Sequence, residues 1–279
     1  MTFAALLLHV ETTPGPDPRL ALAIDLANQF DAKLIGIGAE SYKATTYFGG
    51  GGVDFDVGAS VAADRDGLEA GLGRAEDKFR AAAVSVRRGA EWRSAIQSPP
   101  AALAAAARAA DLIITSDRRR PDASQYNVAY PGVLILRAGR PVLMTPPHAG
   151  ELKAASVVVA WNDTREARRA VSDALPFLRR AEIIQVVEII DDTSALPATT
   201  SRLSEVGQYL RRHGIQATIR ADIAPEEAAS DRLFDIADDQ TADLIVAGGY
   251  GHSRLQDLVY GSFTRALLAQ TARAVFFSH

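Results

Sequence analysis

Short apolar runs rich in β-branched residues alternate along this chain with segments whose apolar positions recur every three or four residues. The clearest run is Ser156-Val157-Val158-Val159-Ala160-Trp161, a pattern expected of a strand buried on both faces, as in a parallel sheet covered by helices. Asn162-Asp163-Thr164 follows as a capping cluster. Beyond it Ala167, Ala170, Val171, Ala174, Leu175 and Leu178 mark a helix over 165–180. The pattern continues with a strand over 182–190, a helix over about 199–213 ended by Gly214, a strand over 215–220, a helix over about 225–240, a strand over 243–247, a helix over about 262–271 and a last strand at Ala274-Val275-Phe276-Phe277.

The first half repeats this order. Strands are expected at 4–10, 33–38, 91–95, 112–115 and at Val142-Leu143-Met144, with helices over 18–30, about 62–82 and about 100–109. Pro146-Pro147-His148-Ala149-Gly150 separates the halves as a linker of turn formers. The expected fold is α/β: two tandem, doubly wound, parallel five-stranded sheets of Rossmann-like type, with domains at 1–148 and 154–279 and right-handed crossovers.

Composition narrows the function. At 279 residues, 48% apolar and 23% charged, the chain can bury substantial cores. Thirty Lys and Arg against 34 Asp and Glu give a net charge of −4, so there is no basic field to draw nucleic acid. The absence of cysteine excludes disulfides, thiolate metal sites and Cys nucleophiles, and the five histidines form no His-Glu-x-x-His pair, so no metal site is assigned. The apolar start lacks a positively charged leader, and no apolar run approaches the roughly 20 residues needed to cross a bilayer. A cytoplasmic location without membrane contact is expected.

The candidate chemistry lies after the strand Leu244-Ile245-Val246-Ala247, in Gly248-Gly249-Tyr250-Gly251 and, after nine intervening residues, Gly261-Ser262-Phe263-Thr264. Ligands of open α/β sheets sit beyond the carboxyl ends of strands, where this segment begins. Gly248 and Gly251 lack Cβ atoms, which allows positive φ and close approach to a ligand. Gly261 opens a helix whose first free amides, on Ser262, Phe263 and Thr264, can face a phosphate with the helix dipole behind them. Each feature alone is ordinary loop punctuation or helix capping; the placement after the fourth strand joins them into a phosphate cradle.

Gly248-x-x-Gly251, nine residues, then Gly261-Ser262 resembles the ATP-binding signature of the universal stress protein family. The segment 160–167 also resembles that family's first strand and loop, and 242–279 its last strand–loop–helix–strand unit; the first half is similar mainly in element order. The resemblance implies a tandem universal stress protein of the adenine nucleotide alpha hydrolase-like fold. It implies an adenine nucleotide as ligand, ATP with AMP or ADP as alternatives, and Mg²⁺ held mainly by the phosphates and water. Residue by residue, it places Asn162 against adenine where the family has an acidic side chain, and an Asn both donates to and accepts from a base edge. Val186 takes the family's backbone contact at the end of the second strand, and Gly248, Gly251, Gly261, Ser262, Phe263 and Thr264 take the ribose and phosphate positions. Arg254 is a looser phosphate candidate, as is His252; the ordinary role of each is a solvated loop side chain.

The first half has no such glycine pair after its fourth strand, where Ser116-Asp117-Arg118-Arg119-Arg120 stands, and Gly49-Gly50-Gly51-Gly52 is not followed by Gly-Lys-Ser/Thr. It reads as a degenerate copy that supplies an interface. Gly251-His252-Ser253-Arg254-Leu255 lacks the second glycine of a nucleophile elbow, and no Gly-x-Gly-x-x-Gly follows either first strand. No catalytic residue is assigned, and slow ATP hydrolysis is the most expected in the way of catalysis. The alternative is an assembly protein of the same fold that has lost useful nucleotide binding. Pairing of the two final strands within the chain would give a pseudo-dimer, with a homodimer as a further expectation.

Overall fold

The computed structural model describes residues 2–41, 57–116, 129–250, 262–270 and 272–279, with side chains in the first long helix described from Arg65 onward. Gly49–Gly52 and Arg118–Arg120 lie outside these residues. The first half runs β1 (Ala5–His9), α1 (Pro18–Phe30), β2 (Lys33–Glu40), α2 (Val57–Ala82), β3 (Ala90–Ile96), α3 (Pro99–Ala106), β4 (Leu112–Thr115), α4 (Pro131–Arg137) and β5 (Val142–Met144). The second runs β6 (Ser156–Ala160), α5 (Arg165–Asp173), α6 (Leu175–Leu178), β7 (Ile183–Ile190), α7 (Leu196–Arg212), β8 (Thr218–Ile223), α8 (Ala229–Asp239), β9 (Leu244–Gly248), α9 (Ser262–Ala269) and β10 (Ala274–Ser278).

All ten strands belong to one sheet of order β3-β2-β1-β4-β5-β10-β9-β6-β7-β8. Within each half every pairing is parallel, and the halves meet where β10 runs antiparallel to β5, with Val275 opposite Met144 and Phe277 opposite Val142. Each half therefore has the doubly wound strand order, and the carboxyl ends of the two sets of strands lie on opposite rims. Strand periodicity sends alternate residues to opposite faces. Leu6, Leu8, Val157 and Val159 pack with α1, α2, α5, α6 and α7, whereas Leu7, Val158, Ile245 and Val275 pack with α3, α4, α8 and α9.

The junction is apolar and aromatic. Phe30 lies edge-on to Phe177 with ring centroids 5.0 Å apart, and Phe3 and Phe276 extend the cluster on either side of Phe177. Each half also ties down its first strand in the same way. The carboxylate of Asp111 accepts the amides of Ala4 and Ala5, and that of Asp243 accepts the amides of Ala155 and Ser156.

Two local expectations are corrected. The helix expected over 165–180 is broken between α5 and α6, because Pro176 has no N–H to donate and its ring crowds the preceding turn. The strand expected over 215–220 is Thr218–Ile223; Ile215 is buried core, but its amide closes the end of α7 by donating to Leu210. Among the described residues, no helix is long and apolar enough to cross a membrane.

Candidate functional site

The carboxyl rim of the second half is built by the ends of β6 and β9 and the first turns of α5 and α9. The register pairs Ala160 with both Ala247 and Val187, so Asn162 stands level with Gly249 on one side and Ile189 on the other. Helix α9 leads into β10, which is parallel to β9, so its first turn lies at this same rim. Four expected site residues are thus gathered here with Gly248: Asn162, Ser262, Phe263 and Thr264. Gly251, Arg254 and Gly261, with His252, lie outside the described residues.

Asn162 is exposed, its side-chain Oδ1 accepts the Thr164 hydroxyl at 2.8 Å, and its side-chain nitrogen has no partner among the described residues. Thr164 caps α5 by accepting the Ala167 amide, and Asp163 pairs with Arg168 at 2.6 Å. In α9, Ser262 is exposed, Phe263 half-buried and Thr264 buried. The amides of this first turn have no intrahelical acceptor.

Val186 is displaced from its expected role. It lies in the middle of β7, fully buried, with Val159 opposite it on β6 and Ile219 on β8, so neither its side chain nor its ladder amide reaches the rim. The strand runs on to Ile190, and at the level of Asn162 the neighbouring backbone is that of Ile189.

The glycines are also used differently than expected. Gly248 ends β9 without positive φ, and a Cβ there would sit 2.7 Å from the Ala167 amide nitrogen and from the Glu166 carbonyl carbon. Its bareness lets the strand end touch the first turn of α5. A Cβ on Gly249 would collide with the Ile135 side chain of α4, so this glycine admits a helix of the other half. The left-handed turn falls one residue later, on Tyr250 with φ 62°. Gly249 is held by both its main-chain groups: its amide donates to Ser278, and its carbonyl lies 2.9 Å from the His279 ring nitrogen.

Sequence reasoning missed two polar groups at this rim. Glu188 points from the helix-covered face of β7 and receives Arg202 of α7 in a forked pair, with nitrogen–oxygen distances of 2.6–3.0 Å. Arg202 also donates to Thr199, and the Glu188 hydrogen bond, with the nearby charge of Asp163, raises its pKa above the ordinary arginine value. The available signal was a charged residue in register with Ile184, Val186 and Ile190 in an otherwise apolar strand. The second group is the indole N–H of Trp161, one residue before Asn162: it is buried and has no acceptor among the described residues.

The corresponding strand ends of the first half hold a buried ion pair. Arg19, 1% exposed, grips Asp17 through two nitrogens at 2.8 and 2.6 Å, reaches Glu11 at 3.1 Å, and donates to the Ser116 hydroxyl at 3.2 Å. Burial opposes charge on both partners, but the mutual hydrogen bonds and attraction prevail, so Asp17 ionises below and Arg19 above its ordinary range. Ser116 follows β4 as Gly248 ends β9. Where the first half joins strand end to helix by a buried Arg–Ser contact, the second does so by direct backbone packing of Gly248 on Glu166 and Ala167.

Among the described residues, no three His, Asp or Glu side chains are grouped to hold a metal ion. A cavity of about 320 Å³, lined by Leu22, Leu152, Asp243 and Arg273 among others, opens at the amino ends of β9 and β10, at the opposite rim from Asn162 and the first turn of α9.

The architecture defines a doubly wound α/β protein of two joined halves, with its candidate site at a strand-end crevice. Across 98% of its length the chain superposes on 95% of a universal stress protein from Archaeoglobus fulgidus DSM 4304, with a TM-score of 0.68 and 16% identity. It is also similar to a protein of unknown function from Pseudomonas aeruginosa PAO1, over 99% of this chain and 92% of that one, with a TM-score of 0.59 and 16% identity. No family model matches the sequence, and no curated protein matches it. The chain shares the Rossmann-like α/β fold of the Archaeoglobus universal stress protein over nearly the whole of both chains.

Proposed function

We propose that this chain is a tandem universal stress protein whose second half binds one adenine nucleotide, ATP with AMP or ADP as alternatives, in a regulatory stress-response role. The carrying observation is the meeting of exposed Asn162, the end of β9 and the first turn of α9 at one carboxyl rim. The buried Trp161 indole, a donor with no acceptor among the described residues, fits a rim that takes a polar ligand. Asn162 would meet the base; the amides of Ser262, Phe263 and Thr264 would hold phosphate, with Gly251, Gly261 and Arg254 contributing from the intervening loop. Mg²⁺ would ride on the phosphates. The bound nucleotide supplies concentrated negative charge and a hydrolysable phosphoanhydride. The protein's own groups hold and orient it, so hydrolysis is slow and occupancy is the signal.

Gly248 and Gly249 being taken up by packing favours one second reading, an assembly protein that keeps these glycines for its architecture alone. Calorimetric titration with Mg-ATP separates the two. The nucleotide reading expects one equivalent bound. It also expects Gly261→Asp to weaken binding by about tenfold or more, since a carboxylate beside the phosphates costs over ~1.4 kcal/mol. No binding at millimolar ATP, or unchanged affinity in the variant, overturns the site.

A further inference from the structure

Strand β8 closes one end of the sheet, and among the described residues no strand pairs beyond it. The amide of Ala224 donates inward to Ile190 of β7. Because main-chain groups alternate along a strand, those of Ile219, Ala221 and Ile223 face outward. Ile219 and Ile223 are 39% and 45% exposed, unusual for isoleucines in a sheet. On the other face of the same strand Arg220 and Asp222 pair with each other, and Arg232 joins Asp222 at 3.0 Å. Natural edge strands carry charge to repel a second strand. Here the two charges have opposite sign and stand two residues apart, which makes them complementary to a copy of themselves.

We propose that two copies of this chain associate through β8, running antiparallel about a two-fold axis at Ala221. That register sets Ile219 against Ile223 of the second copy and Arg220 against Asp222 of the second copy, twice over by symmetry. The outward amides and carbonyls of Ile219, Ala221 and Ile223 then complete a ladder. Ile223, whose amide leans on the Asp222 carboxylate at 2.8 Å in the single chain, exchanges that acceptor for the carbonyl of Ile219 in the second copy. The freed carboxylate oxygen turns to Arg220 across the axis. At the opposite edge, β3 also carries an acid and a base two residues apart, Glu91 and Arg93. Pairing about Trp92, however, would set only Ala90 against Ser94, with no exposed apolar pair to bury. The inference is therefore specific to β8. A six-residue edge buries well under the roughly 1,200 Å² of stable complexes, so association is expected to be weak and reversible.

Sedimentation equilibrium on the full chain tests this, reading the 29.7 kDa monomer against twice that mass. The wild type is expected to dimerise with rising concentration. Arg220→Asp, which sets like charges across the axis, is expected to weaken dimerisation at least tenfold, and adding Asp222→Arg to restore it. Ile223→Lys, at an exposed position, is expected to give a folded monomer, and Glu91→Lys on β3 to leave the dimer intact. A wild type that stays monomeric to several hundred micromolar overturns the proposal. So does a dimer that survives Ile223→Lys with native circular dichroism, or a charge swap that fails to restore association after Arg220→Asp has removed it.

Discussion

His9 ends β1 almost completely buried, and its pKa is lowered from 6.5 to about 3, first by burial, then by the charge of Arg19, with Asp17 pulling partly the other way. The folded chain therefore keeps this imidazole neutral where the unfolded chain protonates it. Stability from this group is complete above pH 6.5 and falls as pH drops through the unfolded value, by about 1.4 kcal/mol per unit until the folded pKa is reached. At pH 5, the 1.5 units below 6.5 correspond to about 2 kcal/mol, a figure set by the unfolded pKa and insensitive to the folded value while that stays below about 4. Asp17 and Glu166, whose folded pKa values are lowered, lose stability only as pH falls below their unfolded values of 3.8 and 4.5, so the window from 6.5 to 5 isolates the histidine from them. Urea unfolding of wild type and His9→Gln at pH 7 and pH 5, followed by far-ultraviolet circular dichroism, measures it. The wild type should lose about 2 kcal/mol more than the variant between the two pH values. Equal losses in the two proteins would refute a neutral buried His9.

Arg19→Met leaves the Asp17 carboxylate buried without its forked partner, and a loss of about 3–5 kcal/mol is expected in chemical denaturation, largely recovered when Asp17→Asn is added. Gly249→Ala drives a methyl into Ile135 across the junction of the halves and should cost about 1–3 kcal/mol by the same measurement. Ile135→Ala should then cost clearly less in that background than in the wild type, and a double-mutant cycle with no coupling would contradict the contact.

The order of elements was readable because both halves bury their strands on two faces, which leaves runs such as Val157-Val158-Val159 with little room for another interpretation. The end of β7 was readable as well, since Asp191-Asp192 follow Ile190. What the letters did not carry was the register between β6 and β7, so the base contact was expected at Val186, three residues short of the level of Asn162. Glycines pose the complementary difficulty. Gly248 is bare for a reason that lies more than 80 residues away in sequence, at Glu166 and Ala167, and the reason for Gly249 lies in the other half of the chain. The Arg19–Ser116 contact likewise joins residues 97 positions apart, and local spacing carries no trace of it. The paired segments Ala110-Asp111-Leu112-Ile113 and Ala242-Asp243-Leu244-Ile245 are the reverse case: a repeat visible in the letters, whose meaning, a carboxylate holding the first strand's amides, emerges only from geometry.

The antiparallel seam between β5 and β10 gives the particle a direction. Two identical subunits joined this way would carry equivalent mouths, looking up and down, that neither partner could tell apart. Here the strand ends of one half hold a buried guanidinium paired with Asp17, and those of the other hold an exposed asparagine and a helix start. Fusing the two units in one polypeptide has let each be altered separately, so a molecule that docks on one rim meets a different chemistry from a molecule that docks on the other.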